Sequence, residues 1–193
     1  MSVIRAFIAI DLSPEILHRL EQVSVLLKTR LEGVPVRWAL VDNIHLTLKF
    51  LGDVSLANVE MLKNILKTEV NEHHAFEISV GGLGAFPSSR RPRVVWVGLE
   101  APAELMAVQN GVESAMARLG YAREERPFSA HLTLGRVSRN AIGRDERLIG
   151  EAIEAIKLGF LGVTRVNEVH LYKSDLHPNG AVYTRLSTAS LKE

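Results

Sequence analysis

The tetrad His-Leu-Thr-Leu occurs twice, beginning at His45 and at His131, and the 86-residue interval between the copies constrains the fold more than any other feature. The interval extends to the surroundings. Displacing Phe86, at the end of one expected strand, by 86 lands on Tyr172 inside another. Displacing Val95 in the same way lands on Ala181, where the final strand is expected to begin. An order of strand, helix, strand and strand therefore recurs, which is the signature of a duplicated unit.

Hydrophobic periodicity supplies the elements. The apolar run 4–12 reads as a buried strand, and Ser13-Pro14-Glu15 as the capped, proline-led start of a helix reaching about residue 31. Residues 36–38 and 44–51 read as strands, 56–70 as an amphipathic helix, and 76–83 and 93–99 as a strand pair around the loop 84–92. Helices are expected at 102–119 and 144–157, and strands at 130–137, 163–174 and 181–187. The expected class is α+β: a bilobal duplicated fold with two antiparallel sheets facing a central groove, helices on the outer faces, and pseudo-two-fold symmetry. No Pro/Gly/Ser-rich linker separates the halves, so residues 1–193 are expected to form a single bilobal domain, long enough for one buried core.

Composition removes several functional classes. A formal charge of +1 argues against gripping a long nucleic acid through many phosphates, yet allows one phosphate in a cleft. The chain has no cysteine, so disulfides and thiolate metal sites are excluded. The opening apolar stretch is interrupted by Arg5 and closed by Asp11, too short and charged for a signal peptide or membrane span. A cytoplasmic protein without a membrane is the expectation.

Strand alternation turns the tetrads into a site. His45 and Thr47 share one face and Leu46 and Leu48 the other, with the same division for His131 and Thr133 against Leu132 and Leu134. With the leucines in the core, pseudo-symmetry brings two imidazoles and two hydroxyls together across the groove. At neutral pH one imidazole of such a pair can act as base and the other as acid, while threonine hydroxyls donate to phosphate oxygens. For a phosphodiester this allows in-line displacement without a metal: one histidine takes a proton from water, the other protonates the leaving alkoxide.

A single H-x-T on a strand is more often structural than catalytic; two identical copies in equivalent places of a repeat reverse that balance. A metal site is disfavoured, because neither tetrad has a carboxylate within its strand. Gly81-Gly82-Leu83-Gly84 lacks the dinucleotide-binding pattern and reads as a bulge or turn. His73 and His74 read as surface residues at a helix end, and His170 and His177, flanking a strand end and turn, as core or surface residues. Arg90, Arg91 and Arg93, like Arg123 and Arg126, read as solvated turns. Arg136 lies close enough to the second tetrad to add charge to a phosphate, although alternation places it on the leucine face.

With these motifs the chain is identified as a member of the 2H phosphoesterase superfamily. It most closely resembles the bacterial and archaeal RNA 2′,3′-cyclic phosphodiesterases historically called 2′-5′ RNA ligases. The resemblance rests on Arg-Ala-Phe-Ile-Ala-Ile from Arg5, His-Leu-Thr-Leu-Lys-Phe-Leu-Gly from His45, Arg-Pro-Arg-Val-Val-Trp ending at Trp96, and His-Leu-Thr-Leu-Gly-Arg from His131. It implies hydrolysis of a terminal 2′,3′-cyclic phosphate to a 2′-phosphate, with no metal or other cofactor. His45 would be the proton donor and His131 the acceptor, with Thr47 and Thr133 binding phosphate. The symmetric repeat alone leaves the two roles unordered. Members also join or cleave 2′-5′ linkages in tRNA halves, the same chemistry with a ribose hydroxyl replacing water. The expected partner is an RNA 3′ end or nucleotide bearing the cyclic phosphate; a monomer with no obligate protein partner is expected. The alternatives are a cyclic phosphodiesterase of small metabolites such as ADP-ribose derivatives, and a protein that binds RNA ends or nucleotides without turning them over.

Overall fold

The computed structural model describes residues 2–177 and 180–193. Among them the elements follow in the order β1 (Val3–Ile10), α1 (Pro14–Arg30), β2 (Val36–Trp38), β3 (Leu46–Ser55), α2 (Val59–Val70), β4 (Phe76–Phe86), β5 (Val94–Leu99), α3 (Ala103–Arg118), β6 (His131–Val137), α4 (Gly143–Ala155), β7 (Phe160–Val166), β8 (Glu168–His177) and β9 (Gly180–Ser190). Local chemistry explains the boundaries of α1. The Ser13 hydroxyl accepts from the Ile16 amide, Pro14 opens the first turn, Glu15 faces the positive end of the dipole, and Lys28 and Arg30 face the negative end. Ile16, Leu20, Val23 and Leu27 recur every three or four residues and form its buried stripe.

The strands pair antiparallel in the order β7-β4-β5-β6-β3-β1-β8-β9, with β2 added to β6. Two four-stranded sheets are thus joined through β3 and β6, and between those strands the ladder has a single residue pair, Leu46 with Leu132. One lobe is β3-β1-β8-β9 covered by α2 and α3; the other is β6-β5-β4-β7 covered by α1 and α4. Each lobe draws strands from both sequence repeats. For example, α1 from the N-terminal repeat packs on β7, where the Ser13 amide donates to Thr164 Oγ1 at 3.1 Å and Ile16 lies against Gly162. The halves therefore interleave, which ties the lobes together without a linker.

Two expectations change. The strand expected over 163–174 is two strands, β7 and β8, separated at Asn167 and belonging to different lobes. Apolar residues recur across the crossing at Val163, Val166, Val169 and Leu171 with neither Gly nor Pro to mark it, which hides it in the sequence. The segment 84–92 is only partly loop, since β4 continues to Phe86. The turn expected after His177 falls on residues 178 and 179, outside the described residues. Among the described residues no helix is long and apolar enough to cross a membrane.

Behind the first tetrad sits a buried ion pair. The Lys49 ammonium, fully buried, donates to Glu113 Oε1 of α3 at 2.8 Å and to the Ala122 carbonyl at 2.8 Å, and Glu113 also accepts from the Glu124 amide at 3.1 Å. It clamps α3 and the segment after it onto β3. Removing one member strands the other charge in the core, which costs roughly 3–5 kcal/mol. Lys49→Ala is therefore expected to lower the unfolding free energy by about 3 kcal/mol in chemical denaturation. The double variant Lys49→Met, Glu113→Leu, which leaves no orphan charge, is expected to recover most of that loss.

Candidate active site

Each tetrad divides its residues as alternation requires. Leu46, Leu48, Leu132 and Leu134 are buried, whereas His45, Thr47, His131 and Thr133 are half-buried on the opposite face. After each tetrad the alternation breaks at the same place. Ile8 pairs with Lys49 and Ala9 with Thr47, leaving Leu48 without a partner; Val95 pairs with Gly135 and Trp96 with Thr133, leaving Leu134 without one. These matched bulges turn Lys49 and Gly135 into the core and Phe50 and Arg136 outward. Arg136 therefore does not lie on the leucine face, and strand parity fails there because the extra residue resets it. Its charge is felt at both His45 and Tyr183, which places it on the groove side.

The two histidines are anchored identically. His45 Nδ1 lies 2.8 Å from the Asn43 carbonyl oxygen and His131 Nδ1 lies 2.7 Å from the Ser129 carbonyl oxygen. A carbonyl only accepts, so Nδ1 carries the hydrogen in both rings and Nε2 is left to exchange protons. The Leu46–Leu132 pair sets the rest. In an antiparallel ladder it puts His45 level with Thr133 and His131 level with Thr47. Two residues along and one strand across separate the histidine Cα atoms by about 8 Å, leaving room for a tetrahedral group between the rings.

Aromatic side chains fix the ring planes. His45 stacks on Phe7 with centroids 4.7 Å apart, Phe7 stacks on Tyr172 at 5.3 Å, and Tyr183 meets both Phe7 and His45 edge-on. In the other lobe Phe86 meets His131 edge-on at 4.9 Å and leans on Trp96. The register makes Tyr172 and Phe86 equivalent: Tyr172 pairs with Phe7 opposite Phe50, and Phe86 pairs with Val94 opposite Arg136. Trp96 lies flat over Gly84, where a Cβ would come within 2.4 Å of the indole.

Beyond the His45 stack lies a polar cluster. Asp11 accepts from the Tyr172 hydroxyl at 2.8 Å and from Arg185, and the buried His170 places Nε2 3.5 Å from it. Burial, together with Asp11 as acceptor, pushes the Tyr172 hydroxyl up to about 12, so it stays a donor. Burial lowers His45 below the ordinary imidazole value and Arg136 adds to this, against the opposing pull of the Asn43 carbonyl and Asp11. In the free protein His45 is thus held toward its neutral form.

Of the residues singled out in the sequence, His45, Thr47, His131, Thr133 and Arg136 come together. Gly81-Gly82-Leu83-Gly84 lies inside β4, with register shifts and a positive φ of 77° at Gly82, and is a bulge. Arg90, Arg91, Arg123 and Arg126 are exposed, and Arg93 pairs with Glu146 at 2.8 Å. His74 and His177 are exposed, while His73 is half-buried beside Glu69. Among the described residues no group of three or more His, Asp or Glu side chains is arranged to hold a metal. Sequence reasoning missed the supporting residues Phe7, Asp11, Trp96, Tyr183 and Arg185. The 86-residue interval had already paired Tyr172 with Phe86, but without a reason to place them beside the histidines.

Comparison with known proteins matches this architecture. A family model described as "LigT like Phosphoesterase" matches twice, over residues 10–96 and 97–183. The chain is similar to an RNA 2′,3′-cyclic phosphodiesterase of Methanothermobacter thermautotrophicus, at 34% identity covering 97% of this chain and 99% of that one. A second, from Escherichia coli, is 32% identical over 98% of this chain and 97% of its own. A crystal structure of E. coli LigT complexed with 3′-AMP superposes with a TM-score of 0.79 at 28% identity, covering both chains fully. The family model that matches each repeat, together with relatives above 30% identity over nearly the whole chain, shows that this chain belongs to the LigT-like phosphoesterase family.

Proposed function

We propose that the protein is an RNA 2′,3′-cyclic phosphodiesterase that opens a terminal cyclic phosphate to a 2′-phosphomonoester through His45 and His131. The observation that carries this reading is the matched anchoring of both Nδ1 atoms, which commits both Nε2 atoms to the groove. His131 Nε2 takes a proton from water as the water oxygen attacks phosphorus. The bond from phosphorus to the 3′ oxygen breaks, and His45 Nε2 gives its proton to that oxygen. Thr47 and Thr133 donate to the non-bridging oxygens, and Arg136 balances their charge. The assignment of donor to His45 follows the resemblance. A single bilobal domain over residues 1–193 is the unit that carries the activity, because each histidine depends on a different lobe.

Removing either histidine deletes a general acid or base, worth roughly 10²- to 10⁴-fold. His45→Ala and His131→Ala are each expected to lose at least about a hundredfold of the release of 2′-phosphate from an RNA ending in a cyclic phosphate. Activity retained in either folded variant contradicts the reading. The roles separate on bis(4-nitrophenyl) phosphate, whose leaving group departs without a proton. His45→Ala is expected to lose little there, whereas His131→Ala stays impaired; the reverse pattern exchanges the roles.

The pH dependence carries a sign. A donor must be protonated, and burial lowers His45 in the free protein. The alkaline limb of kcat/KM, which reports the free enzyme, is therefore expected below the ordinary imidazole value of about 6.5. The bound phosphate anion raises His45, so the alkaline limb of kcat is expected at higher pH. Coincident alkaline limbs contradict the assignment. Activity is expected to persist in EDTA, and loss that zinc or magnesium restores contradicts the two-histidine chemistry.

A further inference from the structure

The short strand β2 sets a second arginine beside the site. Its register on β6 is Val36 with Val137, Arg37 with Arg136 and Trp38 with Gly135. A Cβ on Gly135 would meet Val36 Cγ1 at 2.8 Å and Trp38 Cε3 at 2.9 Å, so Val36 and Trp38 lie on the core face. Arg37 therefore shares the groove face with Arg136, directly opposite it, and both are exposed. Among the described residues neither guanidinium has a carboxylate within 4.0 Å; the neighbouring Arg93 is already held by Glu146. Like charges directly opposed across a ladder disfavour the pairing, and this ladder is only three residues long. An anion between them removes the penalty.

In the other lobe the position equivalent to Arg136 is Phe50, and the same 86-residue interval carries Arg37 to Arg123, which lines a cleft together with Phe50, so the opposed arginine pair of β2 and β6 is not repeated there. Arg136 is near enough to His45 to disfavour its charged form and serves the reacting phosphate. Arg37 is level with Arg136, and because Leu134 is bulged the stretch from Thr133 to Arg136 matches only the two steps from Trp96 to Val94 on β5, about 7 Å along the groove at the usual rise of a strand. A guanidinium there is within reach of the phosphate next to the reacting one.

Building on the phosphodiesterase reading, we propose that Arg37, opposed to Arg136, binds the phosphate on the 5′ side of the terminal nucleotide, so that the enzyme selects nucleotide and oligonucleotide ends over bare nucleoside cyclic phosphates. The single 5′-phosphate distinguishes cytidine 2′,3′-cyclic phosphate from 5′-phosphocytidine 2′,3′-cyclic phosphate. The wild type is expected to favour the 5′-phosphorylated compound by about tenfold in kcat/KM, mainly through KM, as for one charge-assisted hydrogen-bonded contact. Arg37→Ala is expected to abolish that preference and leave turnover of cytidine 2′,3′-cyclic phosphate within about twofold of wild type. It is also expected to flatten the salt dependence of KM for the 5′-phosphorylated compound, because one charge–charge contact that salt screens is gone. Relieving the like-charge pair leaves the thermal midpoint unchanged or higher, which separates this role from a structural one. A wild type that turns over both compounds equally, or an Arg37→Ala variant that keeps the preference or loses both substrates alike, overturns the subsite. A wild type that turns over neither overturns the phosphodiesterase reading and the subsite with it.

Discussion

The pairing of Leu46 with Leu132 is the one contact on which the site depends. It is the single rung of the ladder between two sheets that otherwise carry their own hydrogen bonds. One rung is weak by itself, yet it is backed by leucines on the core face that burial drives together. The same alternation that drives Leu46 and Leu132 inward forces the residues on either side outward. His45, Thr47, His131 and Thr133 are the groove-side neighbours of a hydrophobic contact, and their placement follows from it. Slipping this register by one residue would send every one of these side chains to the wrong face.

The interleaving of the halves explains why so small a contact suffices. Each lobe contains strands and helices of both repeats, so the repeats cannot separate without unpairing whole strands, and the chain crosses repeatedly from one lobe to the other. Rigid support also reaches the reactive groups individually. The carbonyls of Asn43 and Ser129 fix the tautomers, the Phe7–Tyr172 stack and Phe86 fix the planes, and Asp11 holds Tyr172. The supports differ between lobes where the reactive groups do not. Ala9 opposite His170 in one lobe corresponds to Trp96 opposite Gly84 in the other, a small–large pair exchanged for a large–small one. That difference gives the two imidazoles distinct surroundings.

Much of this was legible in the sequence because it depends on periods. The period of two within a strand and the 86-residue interval between strands located both histidines, both threonines, and the equivalence of Tyr172 and Phe86. What escaped depends on single-residue departures from those periods. The bulges at Leu48 and Leu134 turn Arg136 into the groove and Lys49 into the core, and nothing in the composition around them marks the extra residue. Asn167 moves the chain from one lobe to the other inside a run that no Gly or Pro interrupts. Asp11, Tyr183 and Arg185 reach the site only through pairing of strands distant in sequence, which a pattern along one strand does not encode.

The central claim is that two imidazoles, each donating from Nδ1 to a carbonyl, address one phosphate with Nε2. Histidine ¹⁵N NMR during titration with cytidine 2′-phosphate reads this directly. The account predicts that one equivalent of ligand shifts the Nε2 resonances of both His45 and His131 and raises both titration midpoints, while both Nδ1 atoms stay protonated. A response confined to one histidine, or a loss of the proton from either Nδ1, would contradict it.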